Sequence, residues 1–335
     1  MKKLFIAQLI LAGMAGNLKA HNDQQEDDNR FTLGADVLYW QASQQGMTYG
    51  QVANFFAAIP ASPLADQSLF GNELNVNFKF TPGVRVFFGF KPYEDYWNID
   101  FIWTHLNSKA TGASNNPDAI SGPVVIPSAQ YEIPQPQSNN GINATAAWTA
   151  HFNTFDVDLH KEMVAHKTVN LTAHMGLRSL WLNQTYNVIS LNTWNTTLDP
   201  RFIDAEGSMV QKMWGVGPMV GLSSEWTIYE GLHFFGQAAL TLMWSHVNST
   251  DIGTILVDDP AVTTNKNASF YTTLPEISAM IGAEYSYQFE SETKLSVRLG
   301  WDFQTLFNAN YLGGTYNPYG NFNLSGLTAG LRLDF

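Results

Sequence analysis

The chain of 335 residues is acidic, with a formal net charge of −12, and contains no cysteine. That excludes a disulfide framework and a thiolate metal centre, and it argues against nucleic acid as a partner. Charged residues make up only 14% of the chain against 13% aromatics, yet beyond the first 20 positions nothing approaches a run of about 18 apolar residues, which excludes a helical membrane protein. A mean hydropathy of −0.13 suits a sheet whose greasy outer face is diluted by a polar interior.

Met1-Lys2-Lys3 is a basic start, and Leu4 to Met14 is an apolar core of about eleven residues, long enough for a secretory leader and too short to span a bilayer. Leu18-Lys19-Ala20 offers a cleavage site, with Ala15 competing. Residues 1–20 are therefore set aside as a signal peptide. Residues 21–30 are acidic and polar and read as a short disordered arm. Residues 31–335 remain as the folded domain.

From there the chain shows about ten stretches of period-two alternation, the signature of strands with one apolar and one polar face. Phe31 to Gln41 carries Phe31, Leu33, Ala35, Val37 and Tyr39 on one parity. A long linker to about Glu73 follows, and its apolar piece Phe55 to Ile59 is a candidate constriction or a surface helix. Val76 to Phe90 and Trp97 to Thr104 make the next pair, joined by a tight turn at 91–95. Residues 109–142 are rich in Pro, Asn, Ser and Gly and read as a large loop.

Trp148, Ala150 and Phe152 begin another strand, but the apolar parity then switches to Phe155, Val157 and Leu159. One extra residue near Asn153, a β-bulge, would produce that switch. Val169 to Trp181, Trp214 to Trp226, Leu232 to Trp244, Ile277 to Phe289 and Leu295 to Phe303 continue the alternation. The last stretch, Leu327 to Phe335, has Leu327, Ala329, Leu331, Leu333 and Phe335 on one face.

Short connections near 93, 165, 230 and 291 alternate with long ones at 42–73, 109–142, 186–208, 248–269 and 308–321. Short turns at one end and long loops at the other, with an even strand count, are the pattern of bacterial outer-membrane barrels. The predicted fold is thus all-β: a transmembrane antiparallel up-and-down barrel of about ten strands, within a range of eight to twelve, with periplasmic turns and external loops. Trp214 and Trp226 lie on one face. At about 3.3 Å per residue and a tilt near 40° they stand roughly 30 Å apart, the spacing of two interfacial aromatic girdles.

Five segments occur in order: Asp36-Val37-Leu38-Tyr39-Trp40; Trp97-Asn98-Ile99-Asp100 with Trp103-Thr104; Phe155-Asp156-Val157-Asp158-Leu159; Gly176-Leu177-Arg178 with Trp181; and Trp214-Gly215-Val216-Gly217-Pro218 with Gly221. Together they resemble the pore-forming major outer membrane proteins of Legionella and chlamydia-related bacteria. The terminal Thr328, Gly330, Leu333 and Phe335 resemble the insertion signal of such barrels. The resemblance implies an outer-membrane porin-like barrel that passes small hydrophilic solutes or ions. It also implies contact with outer-membrane lipid, lipopolysaccharide and the assembly machinery, with homo-oligomer formation left open. Members of this group can be Cys-rich and cross-linked; this chain departs from that, so a cross-linked envelope is not implied.

The inward parity collects charges of both signs. Arg85, Asp100, Asp156, Asp158, His174, Arg178, Glu284, Arg298, Asp302 and Arg332 are the expected pore-lining set, with Asp36, His160 and Asp334 alongside. The same residues suit a second reading, a lumen plugged by Arg–carboxylate pairs beneath loops that serve as a structural or adhesive surface. A protease is the third reading, since Asp158-Leu159-His160 places a carboxylate and an imidazole on one strand face. It lies near a short turn, away from the external rim, and no G-x-S-x-G or H-E-x-x-H segment is present. The sequence therefore predicts a non-enzyme with no catalytic residue, no metal ligand set and no cofactor.

Overall fold

The structure is a computed structural model, and it describes residues 31–53, 71–92, 97–115, 124–127, 139–140, 143–166, 168–195, 202–256, 262–289, 293–312 and 320–335. The expected leader, the N-terminal arm and the Phe55 to Ile59 piece lie outside these residues. Ten long strands form the wall: β1 (Phe31–Gln44), β2 (Phe80–Phe90), β3 (Asn98–Asn115), β4 (Asn143–His166) and β5 (Val169–Asn195) in the first half. The second half adds β6 (Phe202–Tyr229), β7 (Leu232–Leu256), β8 (Val262–Gln288), β9 (Lys294–Leu306) and β10 (Phe322–Asp334). Each pairs antiparallel with the next, and β10 returns to β1, from Thr32↔Asp334 to Gln44↔Phe322. The sheet is closed. Phe31 and Phe335 complete the seam by exchanging both backbone hydrogen bonds at 2.9 Å.

The turns follow from local chemistry. Between β6 and β7 the two-residue loop is Glu230-Gly231, and Gly231 takes a φ of 77°, a left-handed conformation that a tight hairpin needs and that glycine adopts freely. Proline sits where a ladder stops or skips. Pro82 precedes the first β2–β3 pair at Gly83, Pro275 precedes the first β8–β9 pair at Glu276, and the β6–β7 ladder skips Gly217 and Pro218. A residue without an amide hydrogen has nothing to offer there.

Outward positions are apolar on strand after strand. Val37, Val220, Leu240, Ile281, Leu299 and Leu331 are all more than half exposed, which only an apolar solvent tolerates over so large a contiguous area. Aromatic rings rim this band at both ends. Phe31 packs against Phe90 (centroids 5.3 Å) and Phe335 (6.1 Å) at the turn end. At the other end Trp244 contacts both Trp214 (5.8 Å) and Tyr271, the latter stacked on it at 4.5 Å.

The wall is lopsided. β5 to β8 run 25 to 28 residues, whereas β1, β2, β9 and β10 run 11 to 14. Most of the expected loops at 186–208 and 248–269 are therefore paired strand, and β3 extends to Asn115 inside the expected 109–142 loop. These stretches hide from a periodicity reading because they stand beyond the hydrocarbon band: outward positions such as Asn187 and Asn248 are polar, while Tyr186, Val188 and Met209 are buried inward, so apolar residues no longer mark the lipid-side parity. A small second sheet joins Thr48–Ala53 to Gly71–Asn75 and Val124–Pro127, so the 42–73 linker also carries strands.

The predicted bulge at Asn153 is not formed. β4 pairs continuously there, and Trp148, Ala150 and Phe152 point inward, buried. The parity switch has another origin: the loop-end half of the lumen is itself apolar, so inward residues imitate lipid-facing ones. A bulge does occur ten residues further on. Val164 pairs with Leu171 and Glu162 with Thr172, leaving Met163 as the extra residue.

Val220→Arg, at mid-height on the lipid face, should destabilise the barrel by about 2–4 kcal/mol in urea unfolding from lipid vesicles. Asn267→Arg, on the exposed part of β8 beyond the Tyr271 girdle, should change it by no more than about 0.5 kcal/mol.

Candidate functional site

The lumen has two halves of opposite chemistry. In the loop-end half Trp40, Trp148, Phe152, Leu182, Met213, Met243, Leu274 and Phe322 are essentially fully buried and form one continuous apolar cluster. Met47, Tyr49, Ala309, Tyr311 and Leu312, from segments outside the ten strands, join it. Polar side chains hold these segments in place. Gln211 donates to the Ala309 carbonyl (2.8 Å) and accepts from the Tyr311 amide (2.7 Å), Asn310 donates to the Gln45 carbonyl (2.7 Å), and the Tyr186 hydroxyl donates to the Met47 carbonyl (3.1 Å). Burial pushes the Tyr49 phenol above its ordinary pKa, because the ionised form would lose its water.

In the turn-end half a polar cavity of about 420 Å³ takes over. Its roof is made of ion pairs that cross the lumen. Arg85 on β2 reaches Asp36 on β1 (3.4 Å) and Asp302 on β9 (3.5 Å), and stacks over the Trp40 ring at 5.2 Å. Arg298 on β9 holds Asp36 through two bonds of 3.1 and 2.5 Å. Gly330 explains how. Asp36, Gly330 and Arg298 share one row across β1, β10 and β9, and the carboxylate of Asp36 lies where a Gly330 side chain would start. The missing Cβ is the gap through which the pair meets. Trp40 donates its indole N–H to Thr328 (3.0 Å), and Thr328 donates to Asp302.

A second cross-lumen pair runs from β5 to β8. Arg178 makes a two-pronged contact with Asp156 (Nε 2.9 Å, Nη2 2.7 Å) and turns Nη1 to the Glu276 carboxylate. All three are buried, and a buried charge in such a site persists only when paired and hydrogen-bonded. Lower down, Arg332 donates to Asp334 (3.0 Å), which also accepts from Thr32 (2.6 Å).

Beside this rim lies a histidine pair. His160 on β4 and His174 on β5 are opposite in register, with ring centroids 5.6 Å apart. His174 Nδ1 meets Asp158 Oδ2 at 2.7 Å, and its Nε2 meets Ser223 Oγ on β6 at 2.8 Å. His160 Nδ1 is 3.6 Å from Asp100 Oδ2.

Residues 25–335 match the family model described as Legionella pneumophila major outer membrane protein precursor. The chain belongs to this family. As a member it is a protein of the bacterial outer membrane, and the rule of short periplasmic turns places the polar cavity at the periplasmic end. Comparison with curated proteins returns no match. Among solved structures, the chain is similar to the outer membrane protease OmpT from Escherichia coli, at 14% identity and a TM-score of 0.41 over 94% of this chain and 99% of that one. It is similar to the Pseudomonas putida toluene transporter TodX at 7% identity and 0.29, covering 92% and 89%. The transport unit of the autotransporter AIDA-I from Escherichia coli follows at 9% and 0.30, covering 98% and 97%. At this level of likeness none of their activities transfers to the chain.

All ten expected lumen residues, Arg85, Asp100, Asp156, Asp158, His174, Arg178, Glu284, Arg298, Asp302 and Arg332, line the one cavity. The terminal residues divide: Thr328 and Gly330 face inward into the ion-pair roof, while Leu333 and Phe335 face outward on the lipid side. Sequence reading missed Glu276 and Ser223. The partners of each across the lumen are invisible until the sheet closes. It also missed that the histidines converge, because the pairing of His160 with His174 depends on the bulge at Met163: without that extra residue the even positions of β4 would face the odd positions of β5.

Removing the positive member of the buried trio, Arg178→Met, should cost about 3–5 kcal/mol in urea unfolding, since two carboxylates are left without a counter-charge. Arg178→Met combined with Asp156→Leu and Glu276→Met should restore most of that loss.

Proposed function

We propose that the chain is a surface barrel with a closed lumen, which serves the outer membrane through its wall and its tall external strands and not through passive solute diffusion. The observation that carries this reading is the fully buried apolar layer of Trp40, Trp148, Phe152 and Phe322 across the loop-end half of the lumen. An ion crossing such a layer would shed its hydration with nothing to replace it. Barrels near this size are the ones that side chains can fill. The lipid face supports direct contact with outer-membrane lipid, and the terminal Leu333 and Phe335 are available to the assembly machinery as an insertion signal.

A non-catalytic role fits the same geometry. Asp158, His174 and Ser223 form a hydrogen-bonded chain, but Ser223 sits mid-ladder between Thr172 and Gln237. Its neighbouring amides are committed to the sheet and do not form a free pair of donors for an oxyanion.

One observation favours a second reading, a porin-type passage that opens from this closed form. The periplasmic half of the lumen is already polar and charged, and part of the seal comes from segments outside the strands, Met47, Tyr49, Ala309, Tyr311 and Leu312. Planar-bilayer recording separates the two. The closed barrel should show no stepwise conductance, and Trp40→Ala with Trp148→Ala and Phe322→Ala should introduce a steady ionic leak. Reproducible conductance steps from the unaltered chain would instead establish the porin-type reading.

A further inference from the structure

We propose that Asp158, His160 and His174 form a binding site for a divalent transition metal of the zinc class, at the periplasmic end of the lumen, with Asp100 within reach as a fourth ligand. The first ground is convergence. One ligand atom from each of Asp158, His160 and His174 lies within 4.8 Å of the other two. In a tetrahedral zinc site with bonds near 2.0–2.1 Å, ligand atoms stand about 3.3 Å apart. The remaining closure is small enough for side-chain torsions to supply, because the three residues sit on two adjacent strands in fixed register.

The second ground is a set of polar atoms left over. The Asp158 side chain is only 8% exposed, and its Oδ1 has no hydrogen-bond partner although Oδ2 is engaged by His174. His160 Nδ1 is likewise buried without a hydrogen bond, and so is Asn98 Oδ1. Buried groups of this kind carry a penalty unless something satisfies them. A cation satisfies two of them directly, by bonding Asp158 and His160 Nδ1. Asn98 is placed to orient the second of these ligands. Asn98 Nδ2 now faces His160 Nε2 at 3.3 Å. Turning the amide over puts Oδ1 there to accept from Nε2–H, which leaves the Nδ1 lone pair free for the metal.

His174 is prepared in the same way. Its Nε2 meets Ser223 Oγ at 2.8 Å, so the hydroxyl can accept from Nε2–H and hold Nδ1 as the ligating nitrogen. The 2.7 Å contact between Nδ1 and Asp158 Oδ2 holds a proton between the two atoms, and a metal can take the place of that proton. The donor set of two imidazoles and one or two carboxylates, without sulfur, selects zinc or its neighbours over calcium or magnesium. Two carboxylates balance the charge of one divalent ion. The cavity reaches the exposed Glu162 near the turns, which gives the ion an entry path from the periplasm.

The test is zinc titration of the full chain refolded in detergent, in competition with a chromophoric chelator, with cobalt substituted afterwards to read coordination from its visible spectrum. One zinc per chain and a tetrahedral cobalt spectrum are expected. His160→Gln, His174→Gln and the near-isosteric Asp158→Asn should each weaken binding at least tenfold, while His151→Ala, at an exposed position on β4, should leave it unchanged. Heat-modifiable gel migration verifies folding, and Asp158→Asn decides the matter if a histidine variant does not fold. The proposal is overturned if the folded wild type takes up no stoichiometric zinc. It is also overturned if the affinity is the same with His160 and His174 both replaced, or if His151→Ala weakens binding as much as they do.

Discussion

The whole structure depends on one requirement: within hydrocarbon, a backbone amide must find its partner in protein. A sheet meets it only by closing on itself, and here closure is made by the last described residues against the first, Phe31 with Phe335. Once ten strands are joined in this way, alternation assigns every side chain to lipid or to lumen. The lipid side needs only apolar bulk and an aromatic rim. The lumen side has to fill a fixed space.

The chain fills that space with two materials that do not mix. Toward the outside it uses hydrocarbon and indole; toward the periplasm it uses ion pairs around a polar cavity. The boundary between them is made by residues that belong to both. Trp40 buries its ring in the apolar layer, donates its N–H to Thr328, and lies beneath the Arg85 guanidinium. Gly330 contributes by having no side chain, so that Asp36 and Arg298 can meet across the strand between their own. Such pairs add little net stability over an apolar filling. They do fix which strands face one another across the lumen, because a slipped register would strand a charge in the interior.

Much of this was legible in the sequence, and the rest was hidden for identifiable reasons. The membrane-crossing half of each strand announces itself, since lipid on one side and charge on the other gives clean alternation, as in Val297, Leu299 and Trp301 against Arg298 and Asp302. The lumen charges were legible for the same reason. Trp148 and Phe152 were misread because an apolar lumen and an apolar membrane select the same residues. The outer parts of β5 to β8 were read as loops because polar residues take over the outward face once it leaves the lipid, which erases the lipid-side period. The meeting of His160 with His174 was hidden by a single unpaired residue, Met163.

Unequal strand lengths have a further consequence. A barrel removes sheet edges only as high as its shortest staves reach. β8 is paired with β9 from Glu276 onward, while Val262 to Pro275 pair with β7 alone among the described strands. Above the Glu276–Leu306 row the described strands therefore rise as an arc and not as a complete ring, and the height of the wall there is carried by the ladders among β4 to β8. The β8 part of that arc carries a polar run, Thr263, Thr264, Asn265, Lys266 and Asn267, the composition of a strand that stands in water and not in lipid.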